Sequence, residues 1–182
     1  MKRGAIITVA AIVIIVFLIG AFTALRPTSN EKLKSPMLLT SSAFNHNEKI
    51  PSKFTCDGGN INPELLIQNV PEEAKSLALI MDDPDAPRGI FTHWLAWNIN
   101  PRTTVIKQES KPPGSTEGLN DRGIGGYTGP CPPDKKPHRY FFKLYALDTA
   151  LELGEQATKA ELEAAIADHA VDKTELVGIY ER

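Results

Sequence analysis

Residues 75–81, Lys-Ser-Leu-Ala-Leu-Ile-Met, form a continuous apolar run of strand length that leads directly into Asp82-Asp83-Pro84-Asp85-Ala86-Pro87. Such a run suits a strand buried on both faces. The two prolines fix φ and withhold N–H donors, so the strand cannot continue past them. The chain must therefore end a buried strand on a rigid acidic turn. Thr92–Ile99 and Arg139–Leu147 are two further strand segments of aromatic and β-branched weight. Met37–Phe44 and Lys49–Thr55 read as short strands around an Asn-His-Asn turn, and Glu175–Tyr180 as a last strand. One helix is marked, near 158–170. Thr158 and Glu161 have capping-box spacing, and Leu162, Ala165, Ile166 and His169 share a face. Arg102–Tyr127 is rich in Gly, Pro and polar residues and reads as a long loop. The expected fold is all-β or β-rich α+β with few helices.

The 182 residues suit one domain with an appendage. Lys2 and Arg3 precede an uncharged run, Gly4 to Leu25, which closes at Arg26-Pro27. That run meets the roughly 20 apolar residues of a spanning helix, and Ala21-Phe22-Thr23 offers a small-x-small cleavage site. Residues 1–26 are thus expected to be a transmembrane anchor or a signal segment. Residues 27–36 follow as a polar linker and 37–182 as the folded domain, membrane-anchored or exported and outside the cytoplasm. Orientation stays open, because Arg26, Lys32 and Lys34 oppose Lys2 and Arg3. Removing the three basic residues of 1–26 from 20 leaves 17 against 22 acidic ones. An acidic body of this kind makes nucleic acid an improbable partner.

Three segments carry the chemistry: the Asp82–Pro87 turn, His93 beside Trp94, and Gly123–Pro133 followed by His138-Arg139-Tyr140. Glycines let backbone N–H groups converge on a ligand, and prolines freeze the loop around it. Strand alternation puts His138 and Tyr140 on one face and Arg139 on the other, free to pair with a carboxylate; Asp82 or Asp85 is the natural partner, and Asp85 the expected one.

DPDAP followed by His93, and GYTGPCPP followed by HRYFFKLYALD, resemble the two signature regions of the phosphatidylethanolamine-binding proteins, also known as the Raf kinase inhibitor protein family. FTCDGGNINPEL and the C-terminal stretch from Ala160 resemble its prokaryotic branch. The likeness runs from about Met37 to Arg182. It implies a large antiparallel sheet packed on a smaller one, and a pocket for small anions and phosphorylated headgroups. Family pocket residues fall on Asp83, His93, Gly129, Pro132, His138 and Tyr140, with Asp85 beside them as a structural acid. It also implies a cis Ala86–Pro87 bond. In this picture an anion sits against backbone N–H groups near Gly129 and the His138 imidazole. Tyr140 and His93 add donors, and Asp83 serves a cationic or hydroxyl part of the ligand.

The two cysteines, Cys56 and Cys131, read as a disulfide in an exported domain or as two free buried thiols. The implied function is non-enzymatic: binding of a small anion or phosphorylated headgroup, with regulation of a kinase or protease as an extension. No cofactor or metal is expected. A metal-dependent or other hydrolase using the Asp/His pocket is the first alternative, although no His-x-x-x-His or Gly-x-Ser-x-Gly pattern accompanies it. A structural envelope protein with a vestigial pocket is the second.

Overall fold

A computed structural model describes residues 35–182, which form one compact unit. The expected anchor or signal segment at 1–26, and the linker up to residue 34, lie outside the described residues. Among the described residues, no helix is long and apolar enough to cross a membrane.

Among the described residues, nine strands and one α-helix follow in chain order. They are β1 (Leu38–Ser41), β2 (Glu48–Lys49), β3 (Leu65–Gln68), β4 (Ser76–Asp83), β5 (Phe91–Ile99), β6 (Val105–Ile106), β7 (Thr116–Glu117), β8 (His138–Leu147), α1 (Lys159–Ala167) and β9 (Ala170–Tyr180). The large sheet has the order β2-β9-β8-β4-β5-β7, and the small one β1-β3-β6. Every pairing is antiparallel except β2 with β9, which is parallel and makes the large sheet mixed at one edge. Among the described residues the β-rich expectation holds, as does that of a large sheet with a smaller partner.

The large sheet is covered on both faces, which is why β4 is buried at all eight positions. Leu77, Leu79 and Met81 face the core shared with the small sheet, against Phe142, Leu65 and Ile67. Ala78 and Ile80 face the opposite way, into a second core with Leu95, Trp97, Leu162 and Ile166. Period-2 alternation carries this into the acidic end. Asp82 falls on the helix side, where its Oδ2 accepts from Lys143 Nζ at 3.0 Å and Lys159 Nζ at 2.7 Å. Asp83 falls on the other face. The capping box of α1 forms as its spacing requires: Thr158 Oγ1 accepts from Glu161 N, and Glu161 Oε2 accepts from Thr158 N.

Several segments differ from the expectation. Lys49–Thr55 is a strand only at its first residue; Pro51 ends it, and Ser52–Phe54 form a 3-10 turn. Within Arg102–Tyr127 the short strands β6 and β7 pair to edges of both sheets. The last strand starts at Ala170, because Asp172 and Lys173, polar and half or fully exposed, still pair with Ala146 and Tyr145.

Candidate functional site

The acidic turn is built by its own carboxylates. Asp83 Oδ1 accepts the backbone N–H of Asp85 at 2.8 Å. Asp85 in turn receives Arg139 at three points: the backbone N–H and Nε at Oδ2 (3.0 and 2.8 Å) and Nη2 at Oδ1 (2.8 Å). This bidentate pair holds the Asp85 carboxyl down to about 2. The turn closes where Gly89 N–H donates to Ala86 O at 3.1 Å, with Gly89 at φ +104°. Pro87 is the second residue of that turn, a place its fixed φ suits in the trans form. No peptide bond among the described residues is cis, so the expected cis Ala86–Pro87 bond is trans.

His138 and Asp83 form a buried pair, with Nδ1 donating to Oδ2 at 2.7 Å; their side chains are 2 % and 5 % exposed. His138 Nε2 stands 3.1 Å from Asp134 Oδ1, on the loop that precedes β8. Both ring nitrogens are therefore already engaged by carboxylates. His93 is also buried, and its Nδ1 lies 2.6 Å from the Thr128 carbonyl. A carbonyl only accepts, so Nδ1 carries the proton. Burial pushes the ring below its ordinary 6.5, and Nε2 is left as an acceptor. Expected as a second donor, His93 in its neutral form offers an acceptor there instead. The Tyr140 ring lies between the two imidazoles, edge-on to His93 at 5.2 Å and stacked on His138 at 6.5 Å. Its hydroxyl is buried without a well-formed hydrogen bond; the Cys131 backbone N–H is the donor nearest in effect.

The Gly-rich loop is tied to its surroundings at Thr128, whose N–H donates to His93 O at 3.0 Å, and at Gly129. Gly129 N–H donates to Asn60 Oδ1 at 2.8 Å, and a Cβ at this glycine would stand 2.5 Å from Phe54 O. The glycine thus allows close approach of two chain segments, and its N–H is not available to an anion. Cys56 and Cys131 are joined by a disulfide spanning 75 residues, beside the Cys56 N–H bond to Pro130 O.

A cavity of about 520 Å³ opens beside this framework. Asp83, His93, Arg88, Asp121, Arg122 and Phe91 are among its lining residues. Gly129, Pro132, His138, Tyr140 and Asp85 do not line it; His138 and Asp85 line a separate cleft with Asp134 and Arg139. Asp83 connects the two, lining the cavity while bonded to His138. Sequence reasoning did not single out Arg88, Asp121 or Arg122. Arg88 directly follows the acidic turn, which was the available signal. Asp121 and Arg122 sit in the stretch read as featureless loop, and nothing local shows that Asp121 pairs with β5 through Thr92 N–H at 2.7 Å. Among the described residues, no group of three or more His, Cys, Asp or Glu side chains is arranged to hold a metal ion.

The family model for phosphatidylethanolamine-binding protein matches residues 40–181. A UPF0098 protein of Methanothermobacter thermautotrophicus is 49 % identical over 151 residues, covering 80 % of this chain and 99 % of the relative. One from Pyrococcus horikoshii is 49 % identical over 152 residues, covering 80 % and 77 %. Among solved structures, a phosphatidylethanolamine-binding protein homologue from Chlamydia trachomatis superposes with a TM-score of 0.78 at 41 % identity, covering 81 % of this chain and 98 % of its own. YbcL of E. coli, described as a new member of the mammalian family, superposes with a TM-score of 0.76 at 31 % identity, covering 81 % and 99 %.

Proposed function

The chain belongs to the phosphatidylethanolamine-binding protein family, and on that premise we propose that it is a non-enzymatic binding protein for a small phosphorylated ligand. The observation that carries this reading is the cavity of about 520 Å³ beside the acidic turn, where two arginines, two carboxylates and a neutral imidazole converge. A pocket with few, fixed polar groups among apolar walls is how proteins hold small ligands. The hydrogen-bond network of Asp83, Asp85, His138 and Arg139 serves in this reading as the rigid frame behind the cavity.

A role in regulating a protein partner is the extension of this proposal. Ile90 and Ile124 are exposed by 58 % and 53 %; Ile90 lines the cavity, and Ile124 lies two residues from Arg122. Exposed apolar side chains around a ligand site suit a contact made or broken by occupancy, as an inhibitor of a kinase or protease would need. We further propose that the domain works outside the cytoplasm, anchored or exported through Gly4–Leu25; the Cys56–Cys131 disulfide supports this.

The test is calorimetric titration of the protein with inorganic phosphate and phosphorylethanolamine, wild type against His93→Ala. Saturable binding that weakens in the variant is the expected result. No heat with either compound would remove the small-ligand reading and leave the partner surface to be tested alone.

A further inference from the structure

A second cavity, of about 240 Å³, shares no lining residue with the first. Trp94 follows His93 on β5, and alternation turns it to the other face of the strand. Its indole Nε1 donates to Glu117 Oε1 at 2.8 Å, and the Tyr127 ring stands edge-on to it at 5.6 Å. The Tyr127 hydroxyl is given to Phe54 O at 2.7 Å, so its ring and Ile61 are left as apolar wall. Another part of the wall is the loop after β6. There Glu109 N–H donates to Asn62 O at 3.3 Å and Ser110 N–H to Asn62 Oδ1 at 3.0 Å, which fixes the loop on a buried residue.

Two carboxylates line this cavity without a counter-charge. Glu117 is half-buried and pinned by Trp94 through one oxygen; its Oε2 has no donor among the described residues. Glu109 is exposed and, among the described residues, forms no ion pair. Lys111 lines the cavity as well, yet its ammonium is bonded to neither glutamate. Two glutamates and one lysine leave the wall with a formal charge of −1. Gly126, at φ +86°, keeps the Glu117 carboxylate open, since a Cβ there would stand 3.7 and 3.8 Å from its two oxygens. A carboxylate held partly out of water costs free energy unless a charge or a donor answers it.

We infer that this second cavity binds a primary ammonium carried on an apolar stem. The three donors of an ammonium match Glu117 Oε2 and the Glu109 carboxylate. A stem of a few methylenes packs on Tyr127 and Ile61, and an aromatic ring near the cation adds attraction. An anion is refused by the two carboxylates. A wholly apolar ligand would cover Glu117 and leave its charge unanswered. Glu117 is the residue that sets specificity, and Trp94 is the one that positions it. Two sources carry the same chemistry: a free alkylamine and the lysine side chain of a protein partner. The site is separate from the cavity beside the acidic turn and stands or falls without it.

The experiment is an NMR titration of the full chain with butylammonium, set against butanol at the same concentrations and matched salt. The chain has two tryptophans and so two indole N–H signals. Trp94 reports the site, and Trp97, buried in the second core, reports the fold. The Trp94 signal is expected to shift saturably with butylammonium, at a roughly millimolar Kd suited to one ion pair on an apolar wall, and to stay in place with butanol. Glu117→Gln keeps an acceptor for Trp94 while removing the charge, and is expected to weaken binding roughly tenfold. Glu109→Gln, at an exposed side chain, is expected to weaken it roughly threefold, and Lys111→Gln, which removes a competing cation, to strengthen it roughly twofold. No Trp94 shift in wild type, an equal response to butanol, or undiminished binding in both glutamate variants would overturn the site. If Glu117→Gln moves the Trp97 signal as well, the two exposed variants decide: binding unchanged in both would overturn the site. Titration with cadaverine and with Nα-acetyl-lysine methylamide assigns the source. Tighter binding of the diamine identifies a free amine, and tighter binding of the lysine derivative a protein side chain; both agree with the site.

Discussion

His138 Nδ1 donates to Asp83 Oδ2 across 2.7 Å, and both side chains are buried. The same carboxylate orders the acidic turn through the Asp85 N–H, so one residue couples β8 to the wall of the cavity. Asp83→Ala leaves two donors, the buried His138 Nδ1 and the part-buried Asp85 N–H, without this acceptor. It should destabilise the fold by about 2–4 kcal/mol, the cost of two unsatisfied groups, while Asp83→Asn, which keeps one acceptor oxygen, should cost less. Chemical denaturation of the two variants checks the order.

The Asp85–Arg139 pair gives a pH signature. Asp85 is held at about 2 from an ordinary 3.8, with the Arg139 side chain as the first cause. A carboxyl depressed in the fold contributes stability above its unfolded value, and that contribution is lost as pH falls toward the folded value. The stability gap between wild type and Arg139→Gln should be constant above about pH 5 and close between 3.8 and about 2. Denaturant midpoints measured across that range test it.

His93 acts at milder pH. Burial lowers it from an ordinary 6.5, so the fold favours its neutral form. Its contribution is fully present above 6.5 and declines as pH falls below that, because the unfolded chain takes up a proton the buried ring resists. The NMR titration of the His93 ring should therefore have its midpoint below 6.5, with Nδ1 protonated throughout. A midpoint above 6.5 would mean that the ring is stabilised as imidazolium.

Much of this was legible in the chain. The run Lys75–Met81 suited a strand buried on both faces, which β4 is, and period 2 through His138, Arg139 and Tyr140 led to the Asp85–Arg139 pair. The box at Thr158 and Glu161 marked the start of its helix to within a residue, while the helix ends at Ala167 and not near 170. What was not legible depends on long-range pairing. Leu65–Gln68 becomes a strand because β1 and β6 flank it. The expectation that Gly129 offers an N–H to a ligand did not anticipate Asn60, which is 69 residues away in sequence and takes that donor. His138 and Tyr140, expected to share a pocket with His93, do not line the cavity that His93 lines. Alternation places side chains on a face without telling which of them reach solvent.

Gly129 makes a sharp steric prediction. A Cβ there meets Phe54 O at 2.5 Å and the Asn60 amide oxygen at 2.9 Å, and backbone cannot yield as a flexible side chain would. Gly129→Ala should destabilise by about 1–3 kcal/mol, the usual range for overpacking, and disturb the Asn60 bond. Thermal melting measures the first, and amide exchange at residue 129 reports the second.

The disulfide closes a 75-residue span, for which chain entropy gives about 4 kcal/mol. Reduction should lower the denaturation midpoint accordingly, and alkylation should add mass to Cys56 and Cys131 only after reductant.

The most direct test of the binding reading is an amide NMR titration of the protein with phosphorylethanolamine. The account predicts saturable shifts confined to the Asp83–Phe91 turn, His93, and Asp121–Arg122, the residues that wall the cavity. No shift up to millimolar ligand, or shifts centred on the cleft of Asp134, Lys136 and Arg139 instead, would contradict it.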